Sequence, residues 1–402
     1  MNDPRNIANG TEIASEGYCD QPYVVKTEDG AWLCIMTTGR GKEGDRAQHI
    51  VATRSTDRGQ TWSDLVDVEP ADGPEASWAM PLIAPSGRVY VFYTYNAQNL
   101  RQVAADDPPF EGGWTERVDT LGDYVFKYSD DGGHTWSKAR YTIPVREMAI
   151  DRRNPYSGKV RFFWGVGKPV VWDGVMYFGF AKVGRFGQGF MAASEACFMR
   201  SDNILTEPDP TKIAWETLPQ GDHGLRAPEG KVADEANLTP LSDGSLFCTY
   251  RTVGGHPCHA YSRDGGRTWT PPAFMRYYPG GPLVNHPRAA NFVRRLEQGP
   301  YGGRYIYWFH NNGAQWYNHG PGLGSRNPAW LLGGVERDSS RGKVIHWGRP
   351  EIVLYADHPH TGISYPDFVE DDGRLFITET QKSVARVHEV PPWLLERLWP
   401  EE

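Results

Sequence analysis

The sequence predicts an all-β chain folded as a single six-bladed β-propeller over residues 1–402, and three observations lead there. Short apolar and aromatic runs recur between Asp-Gly and Pro-Gly turns, while long amphipathic repeats of helical period are almost absent. One eight-residue pattern occurs three times, as Ser55-Thr56-Asp57-Arg58-Gly59-Gln60-Thr61-Trp62, Ser129-Asp130-Asp131-Gly132-Gly133-His134-Thr135-Trp136 and Ser262-Arg263-Asp264-Gly265-Gly266-Arg267-Thr268-Trp269. Weaker copies at Arg200-Ser201-Asp202-Asn203, leading to Trp215, and Arg337-Asp338-Ser339-Ser340, leading to Trp347, complete a series of aspartates at 57, 131, 202, 264 and 338. Their steps of 74, 71, 62 and 74 residues are the size of one four-stranded blade. Seven blades is the alternative, because loop insertions blur the period.

Taken along the chain, each element has a local reason. Ala31–Met36, Arg88–Tyr93 and Val175–Phe180 are dense in β-branched and aromatic residues and too short for helices, so they read as buried strands. In the repeated pattern the Asp hydrogen-bonds the turn backbone, a Gly takes the left-handed position and the Trp anchors the returning strand. Asn96 to Asp119 and Asn311 to Ser325 read as long loops over one mouth, where ligand sites usually sit. The last unit runs from Ile363 to about Val390, and a strand near Ile13 is expected to close it, since ring closure removes exposed sheet edges. A short helix near 391–398 follows, with Pro392 in its first turn and Trp393, Leu394, Leu395 and Leu398 on one face.

Composition narrows the function. With 39% hydrophobic and 23% charged residues the chain is an ordinary globular one. A net charge of −8 offers no general attraction to nucleic acid or an anionic membrane, so an anionic ligand must be held by local arginines. No segment reaches the length of a membrane span, and the expectation is a soluble protein, cytoplasmic as written or exported where a leader has been removed. Five widely spaced cysteines organise no disulfide framework.

The repeats resemble the Asp-boxes of sialidases and their relatives, and that resemblance implies a set of site residues. Glu235, ahead of Leu241-Ser242-Asp243-Gly244, matches the family's glutamate. Arg251, ending the following strand, and Arg326, in Arg326-Asn327-Pro328-Ala329-Trp330, match carboxylate-binding arginines. Tyr365, before Asp372-Gly373 and a strand ending in Glu379, resembles the nucleophile. Two departures stand out: Asp20-Gln21-Pro22 occupies the place of the family's Arg-Ile-Pro, and His49 occupies the place of its catalytic Asp. Glu235 is expected to orient Tyr365, and each residue also has a plainer role open to it, such as an Arg251–Glu235 ion pair or a Glu235 that only caps a turn.

Gly17 to Tyr23 with Gln48-His49, Trp164 to Pro169 and Ala385 to Glu389 are similar to propeller polysaccharide lyases, the group of ulvan lyases and rhamnosyl-glucuronate lyases. The chemistry agrees with that branch. β-Elimination from a uronate needs a cation on the carboxylate, a base for the adjacent proton and an acid for the leaving oxygen. Arg251 and Arg326 supply the first, and His49 and Tyr365 share the other two, with Lys168 and Arg146 as further substrate-binding candidates. The expected activity is therefore cleavage of an acidic oligo- or polysaccharide at a uronate by a polysaccharide lyase. A sialidase-like or rhamnosidase-like glycoside hydrolase is the alternative and a glycan-binding propeller without turnover the third reading. No cofactor is required. The resemblance raises a structural zinc ion, for which His256, Cys258 and His310 are the weak candidates.

Overall fold

The computed structural model describes residues 3–120, 122–228, 230–312 and 326–400. Most of the predicted loop Asn311 to Ser325 lies outside the described residues. Six antiparallel sheets of four or five strands carry the fold, and each follows chain order from an inner to an outer strand. The first blade is Tyr18–Lys26, Trp32–Gly39, His49–Ser55 and Val66–Glu69. The second is Ala76–Ile83, Val89–Tyr95, Asp123–Ser129 and Tyr141–Thr142. The third is built on the long hairpin Val175–Gly187 and Phe190–Ser201, with Phe163–Trp164 and Val170–Trp172 inside and Glu216–Leu218 outside. The fourth is Asp234–Pro240, Leu246–Arg251, Cys258–Ser262 and Ala273–Phe274. The fifth contains Phe292–Arg295, Tyr305–Phe309, Ala329–Ser339 and Gly342–Trp347. In the sixth, Ser364–Asp371, Arg374–Thr380 and Ala385–Glu389 are completed by the N-terminal Thr11–Ile13, with Ile13 opposite Ala385 and Thr11 opposite Val387. The ring closes by pairing the two ends of the chain, as the strand near Ile13 predicted.

Packing between neighbouring blades holds the ring together. Phe92 of the second blade lies against Phe178 of the third at 5.1 Å between centroids. Phe198 of the third stacks on Trp269 of the fourth at 4.8 Å, and Trp32 of the first meets Phe376 of the sixth edge-on at 5.0 Å. Such pairs add about 0.5–1.5 kcal/mol each beyond area burial.

The three clear repeats share one hydrogen-bonding scheme between the third and fourth strands of their blades. Asp57 accepts from the Thr61 amide at 2.8 Å and its hydroxyl at 2.6 Å, while Ser55 Oγ donates to Asp57 at 2.8 Å and accepts from the Gly59 amide at 2.7 Å. Asp131 and Asp264 repeat the pattern with Thr135 and Thr268. Gly59, Gly133 and Gly266 have φ of +80°, +89° and +88°, the left-handed conformation that glycine adopts at no steric cost. The weaker copies differ. In the third blade Asn203 takes the turn-capping place expected of Asp202, accepting from the Ala214 amide at 2.8 Å. In the fifth, Asp338 lies inside a strand that turns tightly at 340–341, and the box loop is gone.

The C-terminal helix spans Pro392–Arg397. Leu394 and the following Leu398 are fully buried and the Leu398 carbonyl accepts from Gly333 at 3.2 Å, so the segment packs on the fifth blade. Trp393, predicted on the same apolar face, is instead 38% exposed and is flanked by Arg5 and Arg397. No described helix is long and apolar enough to cross a membrane.

Candidate active site

Four inner strands carry the same distortion near their start. Each register shift, between Asp20 and Tyr23, Ser77 and Met80, Asp234 and Asn237, and Ser364 and Asp367, contains one non-glycine residue in the left-handed region. These residues are Gln21 at φ +53°, Trp78 at +65°, Glu235 at +53° and Tyr365 at +50°. A β-bulge adds a residue and re-aims a side chain, and a non-glycine residue in this region costs on the order of 1–3 kcal/mol. The chain bears that cost four times at one mouth of the channel, and the four bulges turn side chains toward a common centre. Trp78 and Trp164 pack there with centroids 3.8 Å apart.

A cavity of about 160 Å³ opens at this centre. Tyr365, Arg251, Arg288, Arg326, Lys382 and Glu43 line it. Tyr365, 1% exposed, donates its hydroxyl to Glu235 Oε1 at 2.7 Å. The same oxygen takes Trp164 Nε1 at 3.1 Å and faces Arg251 Nη1 at 2.8 Å, while Glu235 Oε2, buried, has no hydrogen-bond partner. Arg251 is anchored on its other side by Asp234 at 2.6 Å, so the plainer Arg251–Glu235 ion pair is made as well. Burial, and then the Glu235 charge, push the Tyr365 hydroxyl well above its usual range, while Arg326 and Arg251 pull it back.

Four arginines, Arg117, Arg251, Arg288 and Arg326, line the cavity from separate elements. Arg288 contacts Asp234 at 3.5 Å and donates to the Gly189 and Met191 carbonyls, and burial lowers its pKa to about 10. Arg326 donates to Ser364 Oγ at 3.0 Å and forms no ion pair with a described carboxylate. It is the cavity arginine whose charge is left for a ligand.

The opposite wall is acidic. Lys382 Nζ, 4.3 Å from the Tyr365 ring centroid, bonds Asp20 and contacts Glu43 at 3.1 Å. Asp20 is fully buried and also accepts from Tyr18 at 2.9 Å; burial pushes its pKa up to about 6 despite Lys382. For Glu43 burial acts in the same sense, but Arg117 and Lys382 outweigh it and hold the carboxyl below its usual range. Arg117 is reached from the loop Asn96 to Asp119, which does lie over this mouth.

Four sequence candidates, Tyr365, Glu235, Arg251 and Arg326, therefore come together. Three do not. His49 is 2% exposed at the start of its strand, where Nδ1 meets the Glu69 carbonyl at 3.1 Å and Nε2 meets Glu16 at 3.2 Å. Arg146 donates to the Pro219 carbonyl beside the third blade, and Lys168 lines another cavity at the opposite end of the channel. The expected zinc candidates are dispersed: His256 bonds the Val284 carbonyl at 2.8 Å, Cys258 is a core thiol that burial pushes up to about 12, and His310 stacks on His286 at 5.9 Å. No group of three or more His, Cys, Asp or Glu side chains able to hold a metal is found among the described residues.

Glu43, Arg117, Arg288 and Lys382 escaped sequence reasoning because they sit in connections whose course is tertiary. A signal existed for the bulges. Asp20-Gln21-Pro22, Ser77-Trp78-Ala79, Asp234-Glu235-Ala236 and Ser364-Tyr365-Pro366 all place Asp or Ser before, and Pro or Ala after, the left-handed residue.

The BNR/Asp-box repeat family matches residues 127–138 and 260–271, which are the second and third clear boxes. No curated protein matches the sequence. Among solved structures, an intramolecular trans-sialidase from Ruminococcus gnavus, in complex with oseltamivir carboxylate, is similar over the whole of both chains, with a TM-score of 0.63 and 14% identity. The NanB sialidase from Streptococcus pneumoniae is similar over 98% of this chain and 71% of its own, with a TM-score of 0.64 and 13% identity. A protein of unknown function from Dyadobacter fermentans covers 95% and 97%, with a TM-score of 0.61 and 14% identity. The chain is a six-bladed propeller of the sialidase-like fold, carrying Asp-box repeats.

Proposed function

We propose that this protein is a glycan-cleaving enzyme that takes an acidic sugar, and that it works as a retaining glycoside hydrolase with Tyr365 as nucleophile. The observation that carries the reading is the buried Tyr365 Oη to Glu235 Oε1 hydrogen bond of 2.7 Å beside the Arg251 guanidinium. A phenol is a weak nucleophile until its proton has somewhere to go, and Glu235 is already in place to receive it. Tyr365 Oη bonds the anomeric carbon as its proton passes to Glu235, and the departing oxygen takes a proton from water. The hydroxide so formed displaces the sugar from Tyr365, which recovers its own proton from Glu235. Arg326, free of a carboxylate partner among the described residues, holds the acidic group of the sugar.

β-Elimination at a uronate is the second reading, favoured by the cations Arg251, Arg326 and Lys382 around Tyr365, which suit the carboxylate of a uronate. It does not use His49, which lies away from the cavity. Incubation with aryl sialosides, aryl uronides, ulvan and gum arabic separates the two: hydrolysis releases reducing ends, elimination adds the ultraviolet absorbance of an unsaturated uronate. Tyr365→Phe is expected to abolish either signal, and turnover surviving that substitution overturns both.

A further inference from the structure

The structure contains a second cavity, of about 370 Å³, at the other end of the central channel. The Tyr365 cavity is built from the starts of inner strands. This one is built from their ends, Val24–Lys26, Pro81–Ile83, Thr239–Pro240, Arg294–Arg295 and Phe368–Glu370, with Lys168–Val171 from the third blade. All six blades contribute.

One cation here has no partner among the described residues. The Arg294 side chain is half-buried and makes no hydrogen bond or ion pair with another described residue. Lys168 adds a second donor: its ammonium holds Asp367 at 2.6 Å and the Val24 carbonyl at 2.8 Å, which leaves one of three donors uncommitted. The other charges around the cavity are engaged. Lys26 pairs with Asp371, Arg295 with Glu297, and Glu370 accepts the amides of Glu297 and Gln298. The walls between them are apolar, from Val24, Leu82, Val170 and Phe368.

The geometry points to a binding site for a small organic anion, whose carboxylate or sulfate head meets Arg294 and Lys168 while its body lies on the apolar walls. The volume exceeds that of a bare inorganic anion and leaves room for a monosaccharide acid. The site is independent of the Tyr365 chemistry, and neither proposal depends on the other.

The test uses the full chain carrying Arg326→Ala, which removes the free cation of the catalytic cavity. D-Glucuronate, sodium sulfate and neutral D-glucose are titrated at constant ionic strength by calorimetry, with the shift in Tm as a second readout. Glucuronate is expected to bind and glucose is not. Adding Arg294→Gln is expected to weaken glucuronate at least tenfold, in line with the loss of a charge-assisted hydrogen bond. Sulfate binding as tightly as glucuronate assigns the affinity to the head group, and weaker sulfate binding assigns part of it to the sugar body. Circular dichroism identical to the parent shows that the variant folds, as is expected for a side chain without a partner among the described residues. Glucose binding as well as glucuronate, affinity unchanged by Arg294→Gln, or no binding by either anion overturns the proposal.

Discussion

Glu235→Gln tests the core of the catalytic reading. The substitution keeps the shape of a side chain that is fully buried and keeps an oxygen for the Tyr365 and Trp164 donors, but it removes the charge. Two effects follow, of different size. Arg251 loses one of two carboxylate partners and retains Asp234 at 2.6 Å, so the penalty stays below the 3–5 kcal/mol typical of a fully orphaned buried charge, at about 1–2 kcal/mol. Catalysis suffers more, because Tyr365 loses the base that receives its proton. General-base assistance is worth about 10²- to 10⁴-fold, or roughly 3–5 kcal/mol of barrier. The expected result is a fall of at least a hundredfold in kcat with KM changed less than about threefold, while Tm drops by only a few degrees. The assay is steady-state turnover of whichever glycoside the protein cleaves, with circular dichroism and thermal melting on the same samples. A kcat within about threefold of the parent would sink the assignment of Glu235 as base, and an unfolded variant would show that its role is structural.

Other perturbations address the rest of the site and the scaffold. Arg326→Ala removes a charge-assisted contact, so kcat/KM for an acidic substrate is expected to fall about 10- to 100-fold while a neutral analogue is unaffected; equal loss on both would refute its role as carboxylate receptor. Burial raises Asp20 to about 6, above its unfolded value near 4. The proton it holds therefore favours the fold most below about pH 4, and that advantage is lost as pH rises through about 6; Asp20→Asn should flatten the pH dependence of Tm over that range. The box carboxylates act with the opposite sign. Hydrogen bonds from Thr61 and Thr135 lower Asp57 and Asp131 to about 2, against burial in the latter, so their contribution is present above about pH 4 and lost as pH falls toward 2. Acid melts of Asp57→Asn should show a shallower loss between those values. Ile13→Ala empties a 2% exposed position in the strand that closes the ring, and a loss of about 2–4 kcal/mol is expected in denaturant melts; a loss under 0.5 kcal/mol would mean that closure does not depend on that strand.

What could be read from the chain alone was whatever local chemistry specifies. Three turns with Ser, Asp, Gly and Trp at set positions name their own hydrogen bonds, and their spacing sets the blade size, so the six-bladed ring and its closure through Ile13 were legible before any coordinate. Tyr365, Glu235, Arg251 and Arg326 were legible because the sequence around each resembles a sialidase motif, the first three on strands and Arg326 just ahead of one. The rest is tertiary. His49 sits at the right point in the sequence for an acid, yet a side chain at a strand start points where the sheet aims it, and here that is toward Glu69 and Glu16. Lys168 lies in the connection between Phe163–Trp164 and Val170–Trp172, and nothing local tells which end of the channel it will reach. Glu43, Arg117, Arg288 and Lys382 come from four different connections and meet only because the blades close in a circle, and that meeting decides which carboxyl keeps its proton and which arginine is left for the ligand. Sequence determined the ring and its punctuation; the convergence of six inner strands on one axis decided the chemistry at each of its ends.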